Sequence, residues 1–314
     1  MTVRTALRDG LLQVVGGHRA RRMVEEPRIG RKLVSRYIAG ESVHSATEVA
    51  KDLLDKGRLI SAQHLVPPPA DDAQAAARAN VLRTTIQTFA EAGLTTDARV
   101  DFDVSLVSLG LHQGPDGPRR ALDRARELAR AAGNAGTTIT VTTESPGQVD
   151  RILLAVRELR QDFPAVGIAV QAAFHRTVAD CEELASAGSR VRLAMGSAGP
   201  DQGVHRHRAS VDRAFAACLR ILMFGPAHPV IATDDLRLLR ITRALAQHLQ
   251  RPVAGYEYQL PYGVRPEMQA VIADRGEAMR VHLPFGPEWY PYLVGRVAVA
   301  PTNLLSLTRA VLAR

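Results

Sequence analysis

Short apolar runs recur along the chain and are separated by segments whose apolar residues follow helical spacing. Runs rich in Val, Ile, Leu and Thr that are bounded by turn residues predict β-strands. The runs that we interpret as strands cover residues 59–65, 100–109, 137–144, 166–174, 190–196, 229–234, 256–261 and 279–286. The pattern therefore indicates eight strands between residues 59 and 286.

The intervening segments have the pattern of amphipathic helices. Residues 150–162 place Ile152, Val156 and Leu159 on one apolar stripe, which is typical of a helix with one buried face. Similar spacing occurs in residues 235–249 and 266–275. Strands that alternate with helices favour a parallel sheet with right-handed crossovers. Eight such units predict an α/β fold of the (β/α)8 TIM-barrel type, with an open, doubly wound sheet as the alternative.

The pattern divides the chain into two parts. Residues 1–50 precede the first predicted strand and are expected to form helices packed on the barrel. Residues 51–314 are expected to form the barrel itself, as a domain of catalytic type. In such barrels the active site lies at the carboxyl ends of the strands. The segments that this rule selects are His64, Ser108, and residues 142–144, 171–176, 192–198, 233–235, 259–263 and 283–289.

The charge of the chain changes this prediction little. The formal net charge is +8 and the pI is about 10, which is a common signature of nucleic-acid binding. The arginines, however, are spread along the chain, and lysine occurs only at positions 32, 51 and 56. One dense basic cluster, residues 205–208, is either a solvated loop or a contact for an anionic ligand. We expect a small-molecule substrate or ligand and no nucleic-acid partner.

The chain also carries the features of a cytoplasmic protein. Charged residues interrupt the N-terminus before an apolar signal segment could form, and no run approaches the length of a membrane span. Cys181 and Cys218 are the two cysteines, which we expect to be reduced and buried. Their spacing does not suggest a metal site, and we predict none.

Five motifs occur in an order that is typical of one known family. They read QAAFHRT at 171–177, RLAMG at 192–196, YEYQLPYG at 256–263, PFGPEWYPY at 284–292 and APTNL at 300–304. Together they resemble the bacterial monofunctional proline dehydrogenases. The resemblance implies a distorted barrel that binds FAD and passes a hydride from substrate carbon to the flavin.

The resemblance also assigns roles to residues that match the family. Gln171, Arg192 and Thr233 are expected to contact FAD, and Ala194 and Gly196 to lie beside it. For Gln171, contact with backbone groups is the alternative, and for Arg192 a structural ion pair.

On the substrate side, the resemblance implies that Arg296 binds the substrate carboxylate and that Tyr292 contacts substrate. A surface salt bridge is the alternative role of Arg296. Glu144 is the carboxylate that remains at the end of the third strand, and it is either a general base or a paired structural charge.

Several family positions have been replaced. The family has charged, aromatic or substrate-packing residues where this chain has Val107, Thr142, Met195, Ala198, Asp234, Pro261, Gly295 and Val299. Gly295 replaces one of two arginines that fork around the proline carboxylate, and such charge-assisted pairs are strong. We therefore expect poor activity, or none, on proline itself.

Two functional hypotheses follow. The first is a proline dehydrogenase-like flavoprotein that oxidises another small amine or imino acid and needs an external electron acceptor. The second is a non-catalytic relative that has lost FAD and binds a ligand or partner. Weak residual proline dehydrogenase activity is a third, less favoured interpretation.

Overall fold

The computed structural model describes residues 35–293, and within them eight strands form a closed parallel barrel. The strands are β1 (Leu59–His64), β2 (Val100–Val104), β3 (Thr138–Thr142), β4 (Gly167–Gln171), β5 (Arg190–Ala194), β6 (His228–Ala232), β7 (Glu257–Pro261) and β8 (Met279–Phe285). Each predicted strand is confirmed; the predicted runs extend past the strand ends by up to five residues, most at β2, and β6 begins one residue before its predicted run.

Helices alternate with the strands on the outside of the barrel. They are α1 (Val43–Asp55), α2 (Asp72–Glu91), α3 (Gly117–Asn134), α4 (Val149–Asp162), α5 (Thr177–Ser186), α6 (Arg208–Phe224), α7 (Leu236–His248) and α8 (Pro266–Asp274). The three helices predicted from apolar spacing correspond to α4, α7 and α8. None of the helices within residues 35–293 is both long and apolar enough to cross a membrane.

Pairing between the first and last strands closes the sheet. β1 and β8 run parallel from the pair Leu59 and Arg280 to the pair His64 and Phe285. The strand order β1 to β8 is sequential around the barrel, so the open-sheet alternative is wrong. Because all strands are parallel, their carboxyl ends meet at one rim, where the loops after each strand gather.

Side-chain caps fix where two helices begin. The Ser42 hydroxyl accepts the backbone N–H of Ser45 at the start of α1, and the Asp71 carboxylate accepts that of Gln74 at the start of α2. Such caps satisfy N–H groups that have no partner within the helix. The predicted boundary at residue 50 falls inside α1, and residues 1–34 lie outside the described part of the chain, so the division into two parts stays a prediction.

The main core lies between the barrel and its helices. Phe102 of β2 packs edge-on against Phe89 of α2, with ring centroids 5.4 Å apart. Cys181 and Cys218 are free and fully buried between α5 and α6, as expected for two reduced thiols. The interior of the barrel is different, because it holds charged side chains from several strands.

Candidate active site

Two cavities open at the rim formed by the carboxyl ends of the strands. The β4–β7 cavity has a volume of about 380 Å³ and is lined mainly by the ends of β4, β5, β6 and β7. The β1–β3 cavity has a volume of about 260 Å³ and is lined by the ends of β1, β2 and β3 and by α2. Thr142 lines both, so the two cavities adjoin at the end of β3. Every described residue of the predicted cofactor site lines the larger one.

The β4–β7 cavity contains polar groups with unused hydrogen-bonding capacity. Gln259 is 2% exposed, and its Oε1 has no hydrogen-bond partner within the described residues. The Nε of Arg192 is likewise buried and without an acceptor there. Thr233 accepts the backbone N–H of Asp235 at 3.2 Å, which leaves its hydroxyl proton as a donor. Buried polar groups of this kind are costly unless a ligand or water satisfies them.

Gly196 brings the backbone after β5 close to Gln171. Its φ is +68°, and an added Cβ would lie 2.7 Å from Gln171 Oε1 and 2.8 Å from Cβ of Ala173. A residue with a side chain would therefore be strained and would also displace its neighbours. Gln171 Nε2 donates to the backbone oxygen of Thr143 at 2.6 Å, so the backbone contact foreseen as its alternative role is present.

Arg192 forms a buried ion pair inside the barrel. Its Nη1 lies 2.7 Å from Asp103 Oδ2 and its Nη2 lies 2.6 Å from Asp103 Oδ1, so the pair is bidentate. Nη2 also donates to the Ser61 hydroxyl. The structural ion pair foreseen for Arg192 is thus present, while its Nε is buried and has no partner among the described residues. Arg192 is held rigidly by two strands, β2 and β1, across the barrel.

The ion pair determines the protonation of Asp103. Burial acts to raise the pKa of Asp103, but the charge of Arg192 and hydrogen bonds from His282 and Arg192 outweigh it and hold that pKa well below its ordinary value. Asp103 is therefore ionised at neutral pH. Its negative charge in turn favours the charged form of Arg192.

A chain of polar contacts leads from this pair to the rim. His282 Nε2 lies 3.4 Å from Asp103 Oδ2, and His282 Nδ1 lies 3.4 Å from the hydroxyl of Tyr292. His282 also lines the β4–β7 cavity. A histidine between a carboxylate and a phenol can hold its N–H toward the carboxylate and accept a proton at its other nitrogen. The arrangement places the predicted substrate contact, Tyr292, next to a proton acceptor.

The second predicted carboxylate, Glu144, lines the β1–β3 cavity instead. Desolvation raises its pKa, and hydrogen bonds from Ser105 and Thr142, together with His112 nearby, oppose that effect. Glu144 forms no salt bridge among the described residues, so no ion-pair partner that would make it a paired structural charge is present there. The predicted site residues consequently divide between the two cavities.

The remaining predicted residues are placed as follows. Ala194 and Gly196 line the β4–β7 cavity at the end of β5, next to Met195. Arg296 lies outside the described residues, as do Gly295 and Val299, so its role stays a prediction. Met195, Asp234 and Pro261, three of the replaced positions, also line the β4–β7 cavity and place an apolar, an acidic and a rigid residue there.

Asp234 places a negative charge in the wall of the β4–β7 cavity, and the cations that could balance it are Arg176 and those of the basic cluster, residues 205–208. Arg176 is committed elsewhere, because it pairs with Asp150 at 2.7 Å and with Asp180 at 2.9 Å. Arg208, from the basic cluster, lines the β4–β7 cavity and pairs with Asp212 at 2.7 Å. The cluster thus contributes one guanidinium to the cavity wall.

Sequence reasoning missed Asp103, His282 and Ser61 as members of the site, whereas Gln259 fell within the selected segment 259–263 but was given no role. A signal for the charged ones was present. Asp101 and Asp103 lie two positions apart on a strand, as do Arg190 and Arg192, and Arg280 and His282. Residues two apart on a strand face the same side, so opposite charges repeated in this way on separate strands indicate a shared polar interior.

Across the described part of the chain, no three His, Cys, Asp or Glu side chains converge so as to hold a metal ion. The fold and site instead define an α/β barrel with a ligand cavity at the carboxyl ends of its strands, within the usual size range of roughly 300–1,000 Å³. The family model described as proline dehydrogenase matches residues 46–298. The chain belongs to the proline dehydrogenase family.

Curated relatives are similar over most of their length. "Proline dehydrogenase 1" of Bacillus subtilis (strain 168) is 26% identical over 278 residues, which cover 88% of this chain and 90% of that protein. "Proline dehydrogenase" of Deinococcus radiodurans is 25% identical over 285 residues, which cover 89% of this chain and 90% of that protein. These values describe a divergent member of the family.

Solved structures support the fold. The crystal structure of proline utilization A (PutA) from Bdellovibrio bacteriovorus, inactivated by N-propargylglycine, superposes with a TM-score of 0.77 at 21% identity and covers 86% of this chain. PutA from Corynebacterium freiburgense gives a TM-score of 0.71 at 17% identity and 93% coverage. This chain spans about a third of the length of those PutA chains, 32% and 34% respectively.

The family is generally FAD-dependent, and the β4–β7 cavity suits the flavin ring. An isoalloxazine is planar and presents both N–H donors and carbonyl or ring-nitrogen acceptors at its edge. Gln259, Arg192 and Thr233 line the cavity and carry acceptor and donor groups of the kinds that such an edge requires, Oε1 without a partner, Nε without a partner and a hydroxyl. The bare backbone at Gly196 allows a close approach. The described residues therefore fit the group.

Proposed function

We propose that this protein binds FAD in the β4–β7 cavity and oxidises a small amine or imino acid other than free proline. The single observation on which this rests most is the pair of buried, unpartnered groups in that cavity, Gln259 Oε1 and Arg192 Nε. Each is a buried polar group that a ligand with a matching donor or acceptor would satisfy. Gln171, Gly196 and Thr233 complete the set that would hold the flavin.

When bound, FAD would supply the hydride acceptor, and the protein supplies orientation and proton handling. An amine must lose its ammonium proton before the adjacent carbon can give up hydride. We assign this step to Tyr292, whose oxygen takes the proton while its own proton passes to His282 Nδ1, 3.4 Å away. Asp103 stabilises the positively charged histidine that results. An external acceptor would then take the electrons.

Proline is a poor candidate because, within residues 35–293, the β4–β7 cavity offers its carboxylate no unpaired guanidinium. The two guanidiniums that line this cavity within residues 35–293 are already paired, Arg192 with Asp103 and Arg208 with Asp212. Met195 adds no charge, and Asp234 would repel a carboxylate. We place the reaction in the cytoplasm, in keeping with the two free, buried thiols.

The visible absorption spectrum of the purified protein tests the proposal, before and after excess FAD is added and removed by desalting. We expect flavin bands near about 380 and 450 nm that elute with the protein. An anaerobic screen of small amines, with bleaching of the longer-wavelength band as the readout, would then identify substrates. A colourless protein that cannot be reconstituted would overturn the proposal.

The second candidate is a non-catalytic relative without FAD. One feature favours it: Asp234 places a negative charge in the wall of the cavity proposed for FAD, a cofactor that carries phosphates. A ligand-binding role would leave the protein colourless. The same spectrum therefore separates the two candidates.

A further inference from the structure

Arg78 of α2 lines the β1–β3 cavity, and no carboxylate within the described residues forms a salt bridge with its guanidinium. Nη2 donates to the backbone oxygen of Pro68 at 3.0 Å, but Nη1 is shielded from solvent and has no hydrogen-bond partner within the described residues. Arg78 forms no salt bridge within residues 35–293. Partial burial also lowers the pKa of Arg78, although a guanidinium stays charged at neutral pH.

The acidic residues closest in sequence are engaged by other groups. Asp71 caps the helix, with its Oδ1 2.8 Å from the backbone nitrogen of Gln74, and attracts Arg78 only at longer range. Asp72 is taken by Arg120 and Arg124, at 2.8 Å and 2.9 Å. A partly desolvated cation with an unused donor is unfavourable unless an anion satisfies it.

The rest of the β1–β3 cavity suits a small polar molecule. Ser105 and Thr142 contribute hydroxyl groups, and Glu144 brings a carboxylate from the segment after β3. Arg78 and Glu144 reach the cavity from different elements, so one wall is cationic and another is acidic. Thr142 connects this space to the β4–β7 cavity, where the flavin would lie.

We propose that Arg78 binds the carboxylate of the substrate in the β1–β3 cavity, so that the substrate is a small amine that also carries a carboxylate. The inference builds on the proposed function, because oxidation at the nitrogen-bearing carbon would occur next to the flavin. It supplies a carboxylate anchor on α2, a different segment of the chain from Arg296, to which the family resemblance assigns carboxylate binding. The position of this anchor would select substrates in which carboxylate and amine are spaced differently from those of proline.

Isothermal titration calorimetry on the protein as purified tests this with matched probe pairs. Each pair consists of an amino acid and the amine that lacks its carboxylate: 5-aminovalerate with butylamine, L-pipecolate with piperidine, and L-proline with pyrrolidine. We expect at least one amino acid to bind about tenfold or more tightly than its matched amine, because a charge-assisted bond to Arg78 is lost in the amine. If no amino acid exceeds its matched amine, the proposal is wrong.

Substitutions locate the effect at Arg78. Arg78→Gln is expected to remove the preference for the carboxylate-bearing probe, and Arg78→Lys to retain part of it. Arg83→Gln is the matched control on the same helix, since Arg83 is exposed and donates to Asn80 alone among the described residues. A carboxylate preference that survives Arg78→Gln in a folded protein would overturn the assignment, and Arg78→Lys covers the case in which the glutamine variant does not fold.

The carboxylate titrations and the flavin spectrum distinguish failure of this inference from failure of the proposed function. A yellow protein without Arg78-dependent carboxylate binding would leave the proposed function standing and defeat this inference. A colourless protein that binds a carboxylate through Arg78 would overturn the proposed function and leave the carboxylate site at Arg78 standing.

Discussion

Arg192 connects the barrel interior to the cavity. Its two terminal nitrogens bind Asp103, while its side chain lines the β4–β7 cavity and its Nε is buried without a partner among the described residues. The sequence resemblance pointed to Arg192, but the choice between ion pair and cofactor contact needed the position of Asp103, 89 residues away along the chain. The resemblance also pointed to Gln171, Thr233 and Gly196. The roles of Gln259 and His282, in contrast, depend on their neighbours in space, which the sequence does not give.

The Arg192→Gln variant should be strongly destabilised. Removing Arg192 leaves the buried Asp103 carboxylate with only His282 and the Ser61 hydroxyl beside it among the described residues, and breaking a buried ion pair in this way typically costs about 3–5 kcal/mol. Arg157→Gln is the control, because Arg157 and Glu183 are half exposed and such pairs contribute at most about 1 kcal/mol. Urea unfolding would measure both free energies of unfolding. Equal losses in the two variants would show that the buried pair is not as important as its geometry indicates.

Gly196→Ala should weaken FAD binding more than it weakens the fold. Gly188→Ala is a matched control, since Gly188 has a φ of +65° but nothing within 4 Å of an added Cβ. Both variants pay about 1 kcal/mol for a left-handed backbone, and Gly196→Ala also displaces Gln171. We expect the Kd for FAD, from quenching of flavin fluorescence, to rise about tenfold or more in Gly196→Ala alone. A similar Kd in both variants would remove Gly196 from the cofactor site.

At the scale of elements, strands were easier to predict than what they enclose. Each strand is short, apolar and bounded by turn residues, so local pattern was sufficient. The polar interior depends on which strands face one another across the barrel. β2, β5, β7 and β8 bring together three carboxylates and three guanidiniums, from Asp101, Asp103, Glu257, Arg190, Arg192 and Arg280. These six charges come together only in the closed barrel, so the sequence of any one strand does not show that they pair.

The contact between α5 and α6 predicts inert thiols. A hydrogen bond with the Cys218 thiol, and then burial, raise the pKa of Cys181 far above its ordinary value. Both residues are 0% exposed. We therefore expect no thiol to react rapidly with a thiol reagent such as dithionitrobenzoate in the native protein, and two to react in urea. Rapid labelling of either cysteine under native conditions would show that these helices open readily.

For the whole molecule, the buried ion pairs make stability depend on pH. Burial tends to raise the pKa values of Asp101, Asp103 and Glu257, but their arginine partners hold these values below the ordinary range. The folded protein thus binds fewer protons than the unfolded chain once the pH falls below the unfolded pKa values, near about 4. The stabilisation is complete above that pH and is lost as the pH falls further toward the folded pKa values.

Urea unfolding between pH 6 and pH 3 (roughly the window set by these carboxylates) measures this dependence. The free energy of unfolding should fall below pH 4 by about 1.4 kcal/mol per pH unit for each carboxylate that titrates in the unfolded chain alone. Added salt should change the fall little, since buried pairs are screened weakly. A flat profile down to pH 3 would contradict the ionised state of the barrel interior.

One anaerobic absorbance experiment tests most directly whether the protein binds flavin and does not oxidise proline. The FAD-loaded, desalted protein is recorded from about 350 to 500 nm, before and after L-proline is added, with dithionite at the end to show that the flavin can be reduced. We predict that the flavin bands co-elute with the protein, persist with proline for many minutes and vanish with dithionite. Rapid bleaching by proline would identify an ordinary proline dehydrogenase, and absence of flavin bands would contradict the cofactor site.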